Sequence, residues 1–227
     1  MERARALLQA RDLDGAARAY GEVLAADPAR AEAWFMQGVI HAERRDAREA
    51  RVRLARAFEL QPSQSPANHL VYANVLLEAG ESRPAEIEAR KVVAASPWLP
   101  PALAARAHAT LAGALIARGT FAEAVDILQA ALQRSPADPT LTRQLAYARW
   151  RLARSLHASA RVFDAIDEYR AALALCCNIG ERNPTRKRSP GARARGFGAD
   201  AGRSPSACRF AHARCASKIA SGPQAGS

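Results

Sequence analysis

A repeat of about 34 residues is the feature of this chain that most restricts its fold. Two small residues twelve positions apart recur five times in the first 175 residues: Ala4/Ala16, Gly38/Ala50, Ala73/Ala85, Ala112/Ala124 and Ala153/Ala165. A third small or β-branched residue follows each pair after seven positions: Val23, Ala57, Val92, Ala131 and Ala172. This spacing predicts antiparallel helix pairs whose backbones approach closely where both facing residues are small.

Prolines mark the ends of the first four units. They stand in Asp27-Pro28, Gln61-Pro62, Ser96-Pro97 and Ser135-Pro136, with spacings of 34, 35 and 39 residues. Proline stops a helix and forces the preceding residue into extended geometry, which favours a turn into the next unit. The extra residues fall in 98–101 and 139–145, where we expect either longer loops or an additional turn on the following helix.

The clearest unit runs from Ala31 to Gln64 and contains Trp34, Gly38, Ala50, Ala57 and Pro62. At those offsets it resembles the tetratricopeptide repeat (TPR) family. The resemblance implies an all-α fold, a right-handed α-solenoid of about five helix-turn-helix repeats over residues 1–175. The expected units are about 1–30, 31–64, 66–99, 105–138 and 146–175. Arg11 and Arg45 replace the turn glycine that Gly80 and Gly119 supply in later units.

In this family the first helix of each repeat forms a concave wall, and the resemblance implies a partner-binding groove there. The residues expected to line it are Phe35, Val39, Leu70, Asn74, Leu77, Arg106, Ile116, Trp150 and Arg154. We expect an uneven charge, acidic at Glu32, Glu43 and Glu78 and basic at Arg106 and Arg154. Such a surface suits an amphipathic helix or an extended peptide with one or two apolar anchors.

Phe35 and Trp150 are the expected anchors of that partner. An alternative remains open, because Phe35, Leu70 and Trp150 fit equally well as packing between successive first helices, and Asn74 fits as an ordinary exposed residue. A direct test replaces Phe35 and Leu70 by aspartate and expects lost capture at unchanged helicity. The terminal-carboxylate clamp of chaperone-binding members is not expected, since Phe35, Val39 and Leu70 stand where it needs polar or basic groups.

The sequence lacks the motifs of the common catalytic sites. It contains no glycine-rich phosphate loop, nucleophile elbow or HExxH zinc motif. His41, His69, His108 and His157 have no second ligand at helical spacing, and Cys208-x3-His212-x2-Cys215 fits no zinc module. We therefore expect no enzyme activity, no cofactor and no bound metal.

The repeat pattern stops after Leu175, and residues 176–227 form a basic segment. This segment carries 8 of the 11 net positive charges and all four cysteines. We expect a disordered basic tail, in which Thr185–Pro190 could contact nucleic acid or anionic lipid. The alternative is a frameshifted or truncated end, which would also explain why no polar capping helix follows the last repeat.

Taken together, these features predict a non-catalytic scaffold that binds a protein or peptide in its groove. We do not expect nucleic acid as the partner. The alternative is the N-terminal recognition arm of a larger transferase, such as a TPR-containing sulfotransferase or glycosyltransferase, whose downstream part is missing. Neither a membrane-spanning apolar run nor an N-terminal signal segment is visible, which predicts a cytoplasmic location. The partner and the oligomeric state stay open.

Overall fold

The computed structural model describes residues 1–181, with side chains to Cys176. Within that range the chain is all-α and contains no strand. The α-helices are α1 Glu2–Gln9, α2 Leu13–Ala26, α3 Ala31–Glu43, α4 Ala47–Leu60, α5 Pro66–Glu78, α6 Ser82–Ala94, α7 Pro101–Arg118, α8 Phe121–Arg134, α9 Pro139–Ala158 and α10 Val162–Glu181. These helices belong to two compact units, a first unit of Met1–Gly119 and a second unit that begins at Thr120.

Side-chain caps and prolines fix where several helices begin. The Asp12 side chain accepts a hydrogen bond from the Gly15 backbone N–H at 2.8 Å, and Asp46 caps α4 in the same way. Proline occupies the first turn of α5, α7 and α9, where its missing N–H is not needed. These local signals explain why the helix starts follow the turns of the repeat.

The small residues of the repeat are buried, as predicted. All nine alanines of the five pairs have at most 2% of their surface exposed, and Gly38 is buried too. A Cβ on Gly38 would lie 2.6 Å from Leu54 Cγ, so only glycine lets α3 approach α4 this closely. The repeat spacing therefore encodes the closest helix contacts.

The extra residues between repeats form an additional helical turn, one of the two predicted possibilities. Helices α7 and α9 have 18 and 20 residues, whereas α3 and α5 have 13 each. A 3₁₀ turn at Ser96–Trp98 precedes α7. Helix α10 continues to Glu181, six residues beyond the boundary predicted after Leu175, because no proline interrupts the sequence before Pro184. The remainder of the predicted tail, 182–227, lies outside the described residues.

The tight turn inside each repeat uses one residue in the left-handed conformation. Gly80 and Gly119 adopt it with φ of 83° and 86°, and Arg11, Arg45 and Ala160 adopt it with φ near 60°. At Arg11 the turn is closed by the N–H groups of residues 11 and 12, which donate to the carbonyls of residues 8 and 7 at 3.0 Å. The geometry is costly for a residue that has a Cβ, yet two of the five turns have arginine there.

Cross-repeat ion pairs connect the helices of the first unit. Arg44 pairs with Asp14, joining the first and second repeats, and Arg51 pairs with Glu81 at 2.9 Å, joining the second and third. Arg118 of α7 pairs with Glu86 of α6, which also accepts from Arg90. Each of these interfaces thus combines apolar packing with a charged contact at its edge.

Candidate functional site

A concave cavity of about 500 Å³ opens on the first unit between α3 and α5. We call it the α3/α5 groove. It is lined by Arg11, Val39, Ala42, Glu43, Arg45, Val71, Asn74, Val75 and Glu78. On α5, Asn74, Val75 and Glu78 follow Val71 by three, four and seven residues, so these four residues form one face of the helix. The volume lies in the range of small-ligand and peptide pockets.

The floor of the α3/α5 groove is apolar and its rim is charged. Val39 and Val71 are half-buried and pack against the core cluster that contains Phe35 and Val75. The rim carries two acidic residues, Glu43 and Glu78, and two arginines, Arg11 and Arg45, contributed by the left-handed turns. A partner can therefore bury apolar groups and make charged contacts in the same place.

Glu43 and Glu78 have no direct partner among the described residues. Each is the last residue of its helix, and each is exposed. Neither carboxylate makes a hydrogen bond or an ion pair with another residue in the described part of the chain. The nearby acid Glu32 differs, because it pairs with Arg5.

Asn74 is held in a defined orientation by α7. The Thr110 hydroxyl donates to Asn74 Oδ1 at 2.8 Å and also lies 3.0 Å from the carbonyl oxygen of Arg106. Thr110 itself is buried. With Oδ1 engaged, Asn74 Nδ2 has no partner among the described residues, and Asn74 is one of the residues that line the cavity. The Nδ2 group is therefore available as a hydrogen-bond donor.

The predicted groove residues of the first unit divide into lining and supporting positions. Val39 and Asn74 line the cavity. Leu77 is half-buried beside the cluster of Leu76, Ala85 and Ala114, and Arg106 is exposed near the start of α7. The three largest apolar members are buried: Phe35 at 9% exposure, Leu70 at 1% and Ile116 at 7%.

Because Phe35 and Leu70 are buried, replacing them by aspartate would affect stability as well as partner binding. Phe35 packs with Ala50, Leu54, Ala57 and Val75. An aspartate at either position would place a charge in the core, which costs several kcal/mol on the scale of about 3–5 for an unpaired buried charge. Helicity would not stay unchanged, so this pair of substitutions cannot report on binding alone.

Trp150 and Arg154 belong to the second unit and contact each other there. The Arg154 guanidinium carbon lies 4.9 Å from the centroid of the Trp150 ring, within cation–π range. The Tyr147 ring stacks on the Trp150 ring, with 6.0 Å between the two ring centroids. Trp150 is half-buried, so part of this aromatic surface is accessible to solvent.

Sequence reasoning missed four contributors to the α3/α5 groove. Val71 and Val75 were not included in the expected wall, and Arg11 and Arg45 were noted only as replacements for the turn glycine. The missed signal was the pair of arginines at turn positions, because a left-handed residue with a long side chain can reach a neighbouring surface. Such non-glycine residues in strained conformations often accompany functional sites.

The histidines of the first unit make contacts with neighbouring residues. His69 Nδ1 lies 2.6 Å from Glu88 Oε2, His41 lies 3.5 Å from Asp46, and His108 lies 2.7 Å from the carbonyl oxygen of Ala104. Among the described residues no group of three or more potential ligands is arranged to hold a metal ion. The cysteine-histidine segment 208–215 lies outside them.

Comparison with known proteins identifies the repeat. Two models of the tetratricopeptide repeat match the chain, one over residues 1–67 and the other over residues 105–148. The chain is a tetratricopeptide repeat protein. No curated protein matches its sequence. In the described part of this TPR protein, no helix is both long enough and apolar enough to cross a membrane.

Solved structures of TPR proteins share the fold. A crystal structure of MamA is 17% identical, with a TM-score of 0.61, and the match covers 81% of this chain and 93% of MamA. The MamA fragment from residue 41 onward of Desulfovibrio magneticus RS-1 is 18% identical, with a TM-score of 0.60, covering 77% and 92%. YrrB, described as a TPR protein with an unusual peptide-binding site, is 16% identical, with a TM-score of 0.62, covering 79% and 84%. These matches confirm the predicted all-α solenoid fold.

Proposed function

We propose that this TPR protein binds a peptide segment of a protein partner in the α3/α5 groove. TPR proteins in general are non-catalytic scaffolds for protein interactions, and the fold assigns this chain to that broad class. The observation that carries the finer proposal is the groove itself, whose apolar floor adjoins Glu43, Glu78 and Asn74 Nδ2, which have no partner within the part of the chain that the structure describes. Peptide recognition needs both features, apolar pockets for affinity and oriented polar groups for register.

The apolar floor can contribute useful binding free energy. Val39, Ala42 and Val71 are only partly covered by the rest of the protein. Burying one aliphatic side chain of a partner against them would contribute about 1.5–3 kcal/mol before the entropic cost of binding. One or two such anchors, with a few polar contacts, give the modest affinity usual for a short peptide.

The predicted residues keep distinct roles in this proposal. Val39 and Asn74 contact the partner directly, and Leu77 and Arg106 extend that surface toward α7. Phe35, Leu70 and Ile116 support the groove from the core, because they are buried and pack the helices that carry the lining residues. Trp150 and Arg154 offer a separate aromatic and cationic surface on the second unit. YrrB, which shares the fold, is described as having a peptide-binding site, and this supports the proposal.

A matched pair of substitutions tests the groove without disturbing the core. Ala42→Tyr would fill the cavity with a phenol ring, whereas Ala94→Tyr would place the same ring on the exposed last turn of α6. The full chain is panned against a phage-displayed library of random twelve-residue peptides, and enriched peptides are titrated against both variants.

We expect enriched peptides to bind the Ala94→Tyr variant like the unmodified chain and the Ala42→Tyr variant at least about tenfold more weakly, a loss of about 1.4 kcal/mol. Failure to enrich any peptide, or equal binding by both variants, would exclude the α3/α5 groove as the binding site. Circular dichroism verifies that both variants keep their helical content.

The transferase alternative gains no support from the MamA and YrrB structures described above, which are TPR proteins. The cytoplasmic location stays a prediction from the sequence, and so does the absence of nucleic acid among the partners.

A further inference from the structure

Helix α10 of the second unit leaves an apolar stripe partly open along its length. Another face of this helix is covered, because Ala165 and Ala172 are buried and α10 lies against α9. Along the open stripe each member follows the previous one by four or three residues, a spacing typical of a helical packing seam. We call it the α10 stripe, and its members are Val162, Ile166, Tyr169, Leu173 and Cys176.

The α10 stripe is most exposed near the start of the helix. Val162 and Ile166 are 46% and 39% exposed, and the neighbouring Phe163 is 85% exposed. The other three members of the stripe are partly buried. Large apolar side chains grouped on one helix face are unfavourable in water, so a segment that covered the stripe would stabilise the second unit.

Cys176, the last member of the α10 stripe, is disulfide-bonded in the structure. The sequence contains three other cysteines, Cys177, Cys208 and Cys215. Cys177 directly follows Cys176 in α10, and adjacent Cα atoms lie only about 3.8 Å apart, less than the roughly 4.4–6.8 Å that disulfides usually span. Cys177 is therefore an unsuitable partner, which leaves Cys208 and Cys215.

The chain that follows α10 is long enough to return along the stripe. Helix α10 ends at Glu181, and residues 182–207 come before Cys208. A chain of this length reaches well beyond the stripe, which measures about 21 Å at 1.5 Å per helical residue. The segment 208–215 also has apolar side chains to place on the stripe, because Phe210 and two alanines lie between its cysteines.

Charge favours the same segment as the occupant. Helix α10 contains four acidic residues and one basic residue, whereas segment 208–215 contains Arg209 and Arg214 and no acidic residue. Three of the acids already pair with arginines, and these pairs are Asp164–Arg161, Asp167–Arg170 and Glu168–Arg149. A carboxylate accepts several hydrogen bonds, so it can also accept from a second guanidinium. Exposed ion pairs stabilise little, so this charge adds to the apolar contact rather than replacing it.

We propose that segment 208–215 of this chain packs on the α10 stripe and that a disulfide from Cys176 to Cys208 or Cys215 fastens it there. Formation of the bond takes two protons and two electrons from the two thiols. A small-molecule or protein disulfide accepts them and leaves as two thiols. Reduction reverses this exchange, releases the segment and opens the stripe to solvent. The inference concerns the second unit and does not depend on the α3/α5 groove.

Peptide mapping tests the covalent step. The full chain is equilibrated with oxidised glutathione, free thiols are blocked with N-ethylmaleimide, and tryptic peptides are identified by mass spectrometry without reduction. In monomeric protein we expect the peptide 171–182 to be linked to the peptide that contains Cys208 or to the one that contains Cys215. The link should survive Cys177→Ser and disappear in Cys176→Ser. A bond within 171–182, a link between two chains or no bond at all would overturn the proposal.

The thiol–disulfide equilibrium measures the packing. In defined mixtures of reduced and oxidised glutathione, the oxidised fraction of the chain gives the effective concentration of the two cysteines, which is of millimolar order for a short flexible link. Packing on the α10 stripe raises this effective concentration. Ile166→Lys removes an apolar contact and places a positive charge near the arginines of the segment. We expect it to lower the effective concentration about tenfold.

Ile87→Lys is the matched control, because Ile87 is 54% exposed on α6 of the first unit. It introduces the same charge and should leave the effective concentration unchanged. Circular dichroism verifies that both variants keep their helical content. An unchanged value in Ile166→Lys, or an equal fall in both variants, would show that the segment does not pack on the stripe and would overturn the proposal. The function proposed for the α3/α5 groove is tested separately, because that groove belongs to the first unit.

Discussion

Gly38 offers the sharpest test of how the repeat packs. Replacing it by alanine would place a Cβ 2.6 Å from Leu54 Cγ, 2.8 Å from Leu54 Cδ2 and 3.2 Å from the carbonyl oxygen of Ala50. Leu54 has no exposed surface, and the Ala50 oxygen belongs to the backbone of α4, so neither can move aside without displacing the helix. The substitution would therefore force α3 and α4 apart.

Two opposing contributions set the change in the free energy of unfolding that Gly38→Ala causes. Overpacking a core by one methyl group costs about 1–3 kcal/mol. Alanine in place of glycine within a helix recovers about 1 kcal/mol. Because a side chain without room to move and a backbone atom are both in the way, we expect a net loss of about 1–2 kcal/mol in the free energy of unfolding.

Gly21→Ala is the matched control, since Gly21 also lies inside a helix. A Cβ there would meet only Gln37 Nε2 at 3.7 Å, an ordinary contact. We expect a gain of about 0.5–1 kcal/mol from helix propensity alone. Urea unfolding followed by circular dichroism at 222 nm compares the two variants, with the slope of each transition inspected because repeats can unfold separately. A Gly38→Ala variant as stable as the Gly21→Ala variant would refute the packing argument.

Three further predictions concern Glu86, Arg11 and Phe35. Burial alone would raise the pKa of Glu86, but hydrogen bonds and charges from Arg118 and Arg90 outweigh it and lower the pKa. The Glu86 carboxylate thus stabilises the fold above its unfolded-state pKa, and this contribution is lost as the pH falls through the lowered folded-state pKa. Glu86→Gln should cost about 1–2 kcal/mol at neutral pH, and the difference from the unmodified chain should shrink in urea titrations carried out at progressively more acid pH. Arg11→Gly should raise the free energy of unfolding by up to about 1 kcal/mol by relieving the left-handed backbone, and a thermal midpoint below that of the unmodified chain would contradict this. Phe35→Asp should lower the far-UV helical signal at 25 °C, whereas a native spectrum would place Phe35 at the surface rather than in the core.

The sequence predicted the helix contacts within the repeat far better than it predicted which residues line the groove. Positions such as Gly38 and Ala50 are identified by the recurring spacing of small residues, because only small residues allow the helix contact and the requirement recurs in every repeat. The additional turn on α7 was one of two possibilities, and choosing between them required knowing that Pro101 begins a helix.

The periodicity of the sequence does not show which residues of the concave wall are buried and which line the groove. Phe35 and Val39 lie on the same side of α3, about one turn apart, yet one is covered by Leu54 and Val75 while the other lines the groove. Whether each of these side chains is covered depends on the tilt and position of α5. The hydrophobic pattern of α3 alone does not give that tilt or position. Arg11 reaches the groove from a turn, where no periodicity exists.

The cross-repeat ion pairs imply an order in which the first unit opens. The pair nearest the N-terminus, Arg5 with Glu32, is about half solvent-exposed on both sides, whereas Glu86, which pairs with Arg118, is almost fully covered. Helix α1 has only eight residues and no side-chain cap. Hydrogen exchange should therefore be fastest in α1 and slow progressively toward α6, since solvent-exposed ion pairs stabilise little. Each opening of α1 would carry Arg11 away from the groove, so the amplitude of this local unfolding sets the fraction of time for which the rim carries Arg45 without Arg11.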